Sequence, residues 1–224
     1  MPFWRSYGFP VPPTGTAPRP PQLDLDLLEP ADGPIDDEID LYRNHLTGSY
    51  VGVAGRGEIA TVYADGADFT GTKFEPLDVS DVRIERSDLA GARWEGVSAR
   101  RLEIADSRLV GWRLIATFAE DLLVTGSRWD NGGLYVRRAK GSIVFRDCTF
   151  AGTTLRGDLS GFVFDNCDLA GAEFGADAAR KCDLRSSRLE GARGLTTLRG
   201  ALITSEQAIG LADVLAAELG FTIS

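Results

Sequence analysis

Histidine, cysteine and methionine are scarce in these 224 residues, which hold one, three and one of them. The single histidine, His45, has no second histidine or cysteine at a ligand spacing, which excludes a zinc site and a histidine-based catalytic triad. Cys148, Cys167 and Cys182 are odd in number and unpaired in spacing, so neither a disulfide framework nor a bound metal is expected. No apolar run approaches the eighteen or so residues of a membrane span. Met1 to Pro10 has neither the basic start nor the apolar stretch of a secretory signal, and the expected location is the cytoplasm. Proline is nearly absent from the body of the chain, because seven of the ten lie in residues 1–21. There they alternate with Phe3, Trp4, Tyr7 and Phe9 and show no core-forming period, which reads as a disordered, Pro-rich tail.

Net charge of one sign is also missing where it would matter. The total of −9 divides into ten acids and four bases over residues 1–65, twenty of each over 66–200, and three acids with no base over 201–224. The central segment is electroneutral. That argues against direct nucleic-acid binding through a basic surface and equally against an extended acidic one.

What is present is a period of five. Apolar centres fall at Phe69, Phe74, Val79, Ile84, Leu89, Trp94, Ala99, Ile104, Leu109, Leu114, Ala119, Val124, Trp129, Leu134, Ala139 and Val144, sixteen in one phase. Neither a helix of period 3.6 nor a strand of period 2 gives such a run. A repeat this short implies a solenoid. Two positions before each centre the residue is small or apolar, as at Ala67, Ser87, Ala92, Ser107, Cys167 and Cys182, so both positions point inward. Packing then accounts for the cysteines.

Quintets such as Ala67-Asp68-Phe69-Thr70-Gly71, Ser87-Asp88-Leu89-Ala90-Gly91 and Cys167-Asp168-Leu169-Ala170-Gly171 resemble the A-(D/N)-(L/F)-x-x motif of the pentapeptide-repeat family. The resemblance implies an all-β solenoid: a right-handed quadrilateral β-helix of about six to seven coils, four quintets to a coil. Sorting the centres at a spacing of twenty supports four sides. One column reads Phe69, Leu89, Leu109, Trp129, and another reads Val79, Ala99, Ala119, Ala139. Like would stack on like at about 4.8 Å per rung. Gly71, Gly91, Gly111, Gly171 and Gly191 recur at one corner. The phase slips once, since Phe150 and Leu155 fall one residue late and Leu159 restores it. A bulge is expected near Phe145 to Arg146, with a compensating deletion after Leu155. Arg137 and Asp177 occupy nominally inward slots, where an unpaired charge is costly, so those sides are expected to be irregular or turned outward.

The flanks read as caps. Over residues 22–48, Pro34 at a first helical position, acids at 36–38 and an apolar face of Ile35, Ile39, Tyr42 and Leu46 predict an N-terminal capping helix from Pro34 to Leu46. Gly55-Arg56-Gly57-Glu58-Ile59-Ala60 matches G-x-G-x-x-A, but quintets begin at Gly66 and leave no room for a βαβ unit. It is assigned to strands of an imperfect first coil, at the start of a β-helix spanning 49–200. In 201–224 a capping box of Thr204 and Gln207 opens a helix to about Leu219. Its apolar circumference is wide enough to be covered twice, by the last coil and by a second copy. The candidate dimer residues are Ile209, Leu211, Val214, Leu215 and Leu219.

No constellation of catalytic, cofactor-binding or metal-binding residues emerges, because quintet acids such as Asp68, Asp88 and Asp168 belong to the repeat itself. The function read from the sequence is a non-enzymatic, rigid interaction module for an unidentified protein partner. The row Lys73, Arg93, Arg113 is a candidate partner surface, and Trp112 a candidate contact. A charge ladder of Arg100 and Arg101 with Glu120, Asp121 and Lys140 is expected along one corner. The ending from Leu198 to Gly220 is similar to the C-terminal module of pentapeptide-repeat proteins that inhibit DNA gyrase. That resemblance implies a homodimer and, as the alternative function, a duplex-mimicking gyrase inhibitor associated with quinolone resistance. The electroneutral rod disfavours the alternative.

Overall fold

The structure, a computed structural model, describes residues 17–31 and 37–222. It is a parallel β-solenoid of about 7 turns. The strands are β1 (Glu29–Pro30), β2 (Glu38–Tyr42), β3 (Asn44–Leu46), β4 (Ala54–Asp65), β5 (Lys73–Glu85), β6 (Arg93–Ala105), β7 (Arg113–Thr125), β8 (Gly133–Val136), β9 (Ala139–Arg146), β10 (Thr154–Asp158), β11 (Val163–Asp165) and β12 (Glu173–Ala178). Two short helices follow, α1 (Ser205–Gly210) and α2 (Ala212–Glu218).

Through β5, β6 and β7 most residues lie on the next coil at a spacing of twenty. Phe74 pairs with Trp94 and Val79 with Ala99, and Ser49, Asp68, Asp88, Arg108, Arg128, Thr149, Asp168 and Arg188 form one bridged column. The expected centres are buried: Phe69, Leu89, Leu109, Trp129, Phe150 and Leu169 on side one are each at most 2% exposed. Sides two, three and four follow Phe74, Val79 and Ile84 in the same way, except that Ala139 is only partly buried. Turning requires left-handed backbone, and the corner after side one has it at Gly71, Gly91, Gly111, Asn131, Gly152, Gly171 and Gly191, with φ from 54° to 74°. Glycine adopts that region without strain and asparagine tolerates it.

Two polar devices explain the composition of a quintet. The aspartate before the centre accepts the N–H two residues on, from Thr70 to Asp68 at 2.9 Å and from Ala90 to Asp88 at 2.8 Å, an Asx turn that closes the corner. The small inward residue is often serine because its hydroxyl serves the coil beneath. The amides of Ala67, Ser87 and Ser107 each donate to the serine hydroxyl one coil up, at 3.1 Å. These corner amides have no strand partner, and a buried unpaired N–H is costly.

The one-residue slip falls earlier than the sequence predicts. The β7–β9 register jumps between Glu120↔Lys140 and Leu122↔Ile143, at Gly141, where φ is +67° and a Cβ would lie 2.5 Å from Asp121 Oδ1. Phe145 rather than Val144 therefore takes the side-four column, paired with Val124 and Phe164. The compensating deletion lies between Gly157 and Asp158 and skips Asp177. On side three Ala116 and Val136 move inward, and Thr117, Arg137 and Asp177 stand outside, as the cost of burying charge requires.

The capping helix from Pro34 to Leu46 does not form. Residues 32–36 lie outside the described residues, and from Glu38 onward the chain is strand, with Ile39 and Leu41 buried and Tyr42 59% exposed. The alternation Ile39, Leu41 outweighs the helical spacing because β4 presents an open edge whose amides need backbone partners. β2 supplies them from Glu38↔Arg56 to Tyr42↔Ala60. β1 then pairs with β3 and ends the array at Pro30, which has no N–H to offer. The G-x-G-x-x-A stretch is in β4, as assigned, and Gly57 lets the carbonyl of Ile39 approach to 2.0 Å of where a Cβ would be.

Trp112 is a core residue, not a surface contact: it is 0% exposed and stacks on Trp129 at 4.5 Å. It fills a slot held by Thr72 and Ala92 on the coils below, and Gly132 above makes the room, since a Cβ there would lie 2.5 Å from the Trp129 ring and 2.6 Å from the Trp112 carbonyl. Trp129 Nε1 donates to that carbonyl at 2.9 Å, while Trp112 Nε1 is buried without a partner. Gly132→Ala is therefore expected to lower stability by about 1–3 kcal/mol through overpacking. Trp112→Phe is expected to cost less than the roughly 3–5 kcal/mol of truncating a buried tryptophan to alanine, because it also removes an unpaired donor. Urea midpoints of the three variants check the order.

Candidate interaction surfaces

Residues 17–31 lie as a strap against the rod, whereas the sequence reading placed 17–21 in a disordered tail. Arg19 Nε donates to Asp121 at 2.5 Å and its Nη2 to Glu120 at 2.6 Å, and the Gln22 amide donates to Asp81 at 2.7 Å. The corner after side three explains the anchor. Its left-handed residues run Asp81, Arg101, Asp121, Gly141. Arg101 grips Asp81 with two hydrogen bonds, at 2.6 and 2.5 Å. Asp121, 3% exposed, has glycine where the next cation of the alternation would stand. Arg19 occupies that role. The expected ladder is otherwise present, with Glu120 reached by Lys140 at 3.2 Å and by Arg100 at 3.9 Å. The Lys140 and Arg19 partners hold the Glu120 carboxyl below the usual range.

Lys73, Arg93 and Arg113 are stacked on side two and exposed, and none of the ion pairs among the described residues includes them. Lys73 and Arg93 border a shallow groove of about 420 Å³ with Arg56, Glu75 and Glu95. The same side carries Ile115 and Tyr135, paired in register and 37% and 36% exposed. Side one alternates: Arg108 pairs with Asp88 at 2.8 Å, Arg128 with Asp130 at 2.5 Å and Arg188 with Asp168 at 3.1 Å. On side four His45 stacks on Tyr63 at 5.2 Å, Tyr63 donates to Glu85 at 2.8 Å, and Arg86 pairs with Asp65 at 2.5 Å.

The helix expected from Thr204 to Leu219 is broken into α1 and α2 at Leu211. The capping box forms, with the Gln207 amide donating to Thr204 Oγ1 at 3.1 Å and the Thr204 amide to Gln207 Oε1 at 2.8 Å. Gln207 Nε2 also donates to the carbonyls of Leu184 and Ser187, both at 2.7 Å, so one side chain caps the helix and the last coil. Leu211, 6% exposed, packs into the core and is thereby removed from the predicted dimer face. Val214 and Leu215 are partly buried against the core, while Ile209, Leu219 and the additional Phe221 are 79%, 64% and 67% exposed. Glu218 accepts from the amides of Gly194, Leu195 and Thr196, at 2.6, 3.2 and 2.9 Å, tying α2 to the final turn of the rod.

Burial pushes the Cys182 thiol up to about 12. Hydrogen bonding with the Cys148 thiol, followed by burial, raises that of Cys167. All three thiols are buried and free. Among the described residues no group of three His, Cys, Asp or Glu is placed to hold a metal ion, and no helix is long and apolar enough to cross a membrane.

No protein-family model and no curated protein matches the chain. Among solved structures, a full-length plasmid-mediated fluoroquinolone resistance protein, QnrB1, is 19% identical over 83% of this chain and 95% of its own, with a TM-score of 0.46. A trypsin-treated form of it gives 19%, 84%, 95% and 0.47 in the same order. HetL of Nostoc sp. strain PCC 7120, a pentapeptide repeat protein involved in heterocyst differentiation regulation, is 19% identical over 75% of this chain and 89% of its own, at 0.24. The geometry of this chain decides its architecture: five residues to a side, four sides to a coil, twenty residues between stacked centres. It is a four-sided parallel β-helix built of five-residue repeats.

In this β-helix the contact between Glu218 and the final turn has a pH signature. Burial raises the carboxyl, but the amides of Thr196, Leu195 and Gly194 outweigh it and hold it below the ordinary range. A depressed folded value contributes stability above the unfolded value of about 4.3 and loses it as pH falls through the folded one. Glu218→Gln is therefore expected to be less stable than the parent at neutral pH, and the difference in urea midpoint is expected to vanish in acid.

Proposed function

We propose that the chain is a non-enzymatic, cytoplasmic interaction module, a rigid rod that presents flat sides to a protein partner and joins a second copy through its C-terminal helices. The observation that carries this reading is the way charge is used along the coils. Acids and bases on side one neutralise one another rung by rung, and the rod keeps exposed side-chain rows in a regular lattice. The row Lys73, Arg93, Arg113, without ion partners among the described residues, is the proposed contact for acidic groups of that partner.

Ile209, Leu219 and Phe221 support the dimer, because large apolar side chains this exposed are stabilised when another molecule covers them. The full chain is expected to sediment as a dimer at tens of micromolar and Leu219→Asp as a monomer with an unchanged circular dichroism spectrum. A monomeric parent would remove the dimer from the proposal. The gyrase reading needs a continuous line of acids, and the side-one column Asp68, Asp88, Arg108, Arg128, Thr149, Asp168, Arg188 does not provide one. Low micromolar protein is expected to leave gyrase supercoiling unaffected at moderate salt, and salt-sensitive inhibition would reverse the preference.

A further inference from the structure

Among the described residues, three hydrogen bonds hold residues 17–23 to the rod, two from the Arg19 guanidinium and one from the Gln22 amide. All three acceptors are carboxylates at the corner after side three, and Asp81 Oδ1 accepts from Arg101 Nε as well as from Gln22. The side chains of Asp121 and Glu120 are only 4% and 9% exposed, whereas that of Arg19 is 61% exposed. The acids are therefore built into the rod, and their partner lies on its surface. The corner is open at Asp121 because the inserted residue is Gly141, where a Cβ would lie 2.5 Å from Asp121 Oδ1.

The occupant has a distinctive chemistry. In Pro18-Arg19-Pro20-Pro21-Gln22 each proline fixes its own φ and drives the residue before it to extended backbone, so the segment is shaped before it touches the rod. Three residues of such a chain advance about 9 Å and two rungs of a solenoid about 10 Å, which matches the step from the Asp121 rung to the Asp81 rung. Between these points Pro20 and Pro21 have no N–H to leave unpaired, and the next one along the chain is the Gln22 amide that Asp81 accepts. We propose that this corner is a recognition site for an arginine followed by two prolines, which residues 18–22 close in cis and which the same motif on another protein takes by displacing them. The tether presents the cis segment at an effective concentration in the millimolar range, so a few surface contacts suffice to close the site. The site is separate from the side-two row Lys73, Arg93, Arg113 and does not rest on the contact proposed there.

Amide chemical shifts of the full-length Arg19→Ala chain, titrated with a peptide of the sequence of residues 17–23 up to about 5 mM, test the site at the concentration a tether provides. The Ser142 amide, which donates to Asp121 Oδ1 at 3.2 Å, is the reporter. Saturable shifts at Ser142 are expected in Arg19→Ala, and several-fold weaker apparent binding in the parent, whose own segment competes. A peptide carrying lysine for arginine is expected to bind more weakly, because an ammonium does not present a planar fork to two carboxylates. One carrying alanine is expected to leave Ser142 unmoved, and this comparison leaves the rod unaltered. Arg19 lies outside the coils, and an unchanged thermal midpoint confirms that its variant folds. Absence of shifts in Arg19→Ala marks a purely intramolecular contact and overturns the proposal. So does equal binding of the alanine peptide, and so does equal binding by the parent and Arg19→Ala.

Discussion

The hydrogen bonds between successive coils constrain everything else in this molecule. Every strand is parallel to the ones above and below, and the ladder holds only if the chain returns to the same point after each circuit. With five residues to a side, four turns must fit in each coil, and the corners after sides one, three and four make theirs with a residue in left-handed backbone. Glycine, asparagine and aspartate gather there for conformational reasons. The inserted residue at Gly141 and the skipped Asp177 show how narrow the tolerance is, because one extra residue on one coil is balanced by one fewer on the next.

Closure also determines what the thin interior can hold. There is space for one central side chain and one small one per side, so a large residue in a small slot has to be matched vertically. Trp112 is accommodated by Ala92 beneath and Gly132 above, and Gly132 belongs to the packing of two indoles rather than to a turn. The serine column belongs to the same logic. Its hydroxyls carry hydrogen bonding through corners where the strand ladder lapses, so the core is continuous in polar satisfaction as well as in apolar contact.

The ends and edges show one principle in three forms. β2 and β1 continue the ladder past the first regular coil until a proline stops it, Gln207 and Glu218 cap the carbonyls and amides of the last coil, and Arg19 completes an alternation of charge that the coil leaves open at Gly141. In each case a backbone or carboxylate group that the repeat cannot satisfy by itself finds its partner in sequence outside the repeat. The rows Lys73, Arg93, Arg113 on side two and Asp40, Glu58, Asp78 on side three have no ion partner among the described residues.

The sequence by itself determined the coil. Period five, the alternation of large and small inward residues, the corner glycines and the outward turn of Arg137 and Asp177 are all local or arithmetic properties, and each corresponds to the geometry observed. The capping box at Thr204 and Gln207 was legible for the same reason, since it joins residues three apart. Only the tertiary structure decided the rest. Ile35, Ile39, Tyr42 and Leu46 satisfy a helical spacing as well as Ile39 and Leu41 satisfy a strand, and the open edge of β4, a group distant in sequence, settles the choice. Leu211 and Leu219 look alike on a helical wheel until the last coil takes one and leaves the other exposed. The pairing of Arg19 with Asp121 spans 102 residues, and the stack of Asp40, Glu58 and Asp78 becomes visible only when columns from separate coils are set side by side. Periodic patterns encode what a residue does relative to its neighbours in the chain, whereas these features depend on which surfaces folding brings together.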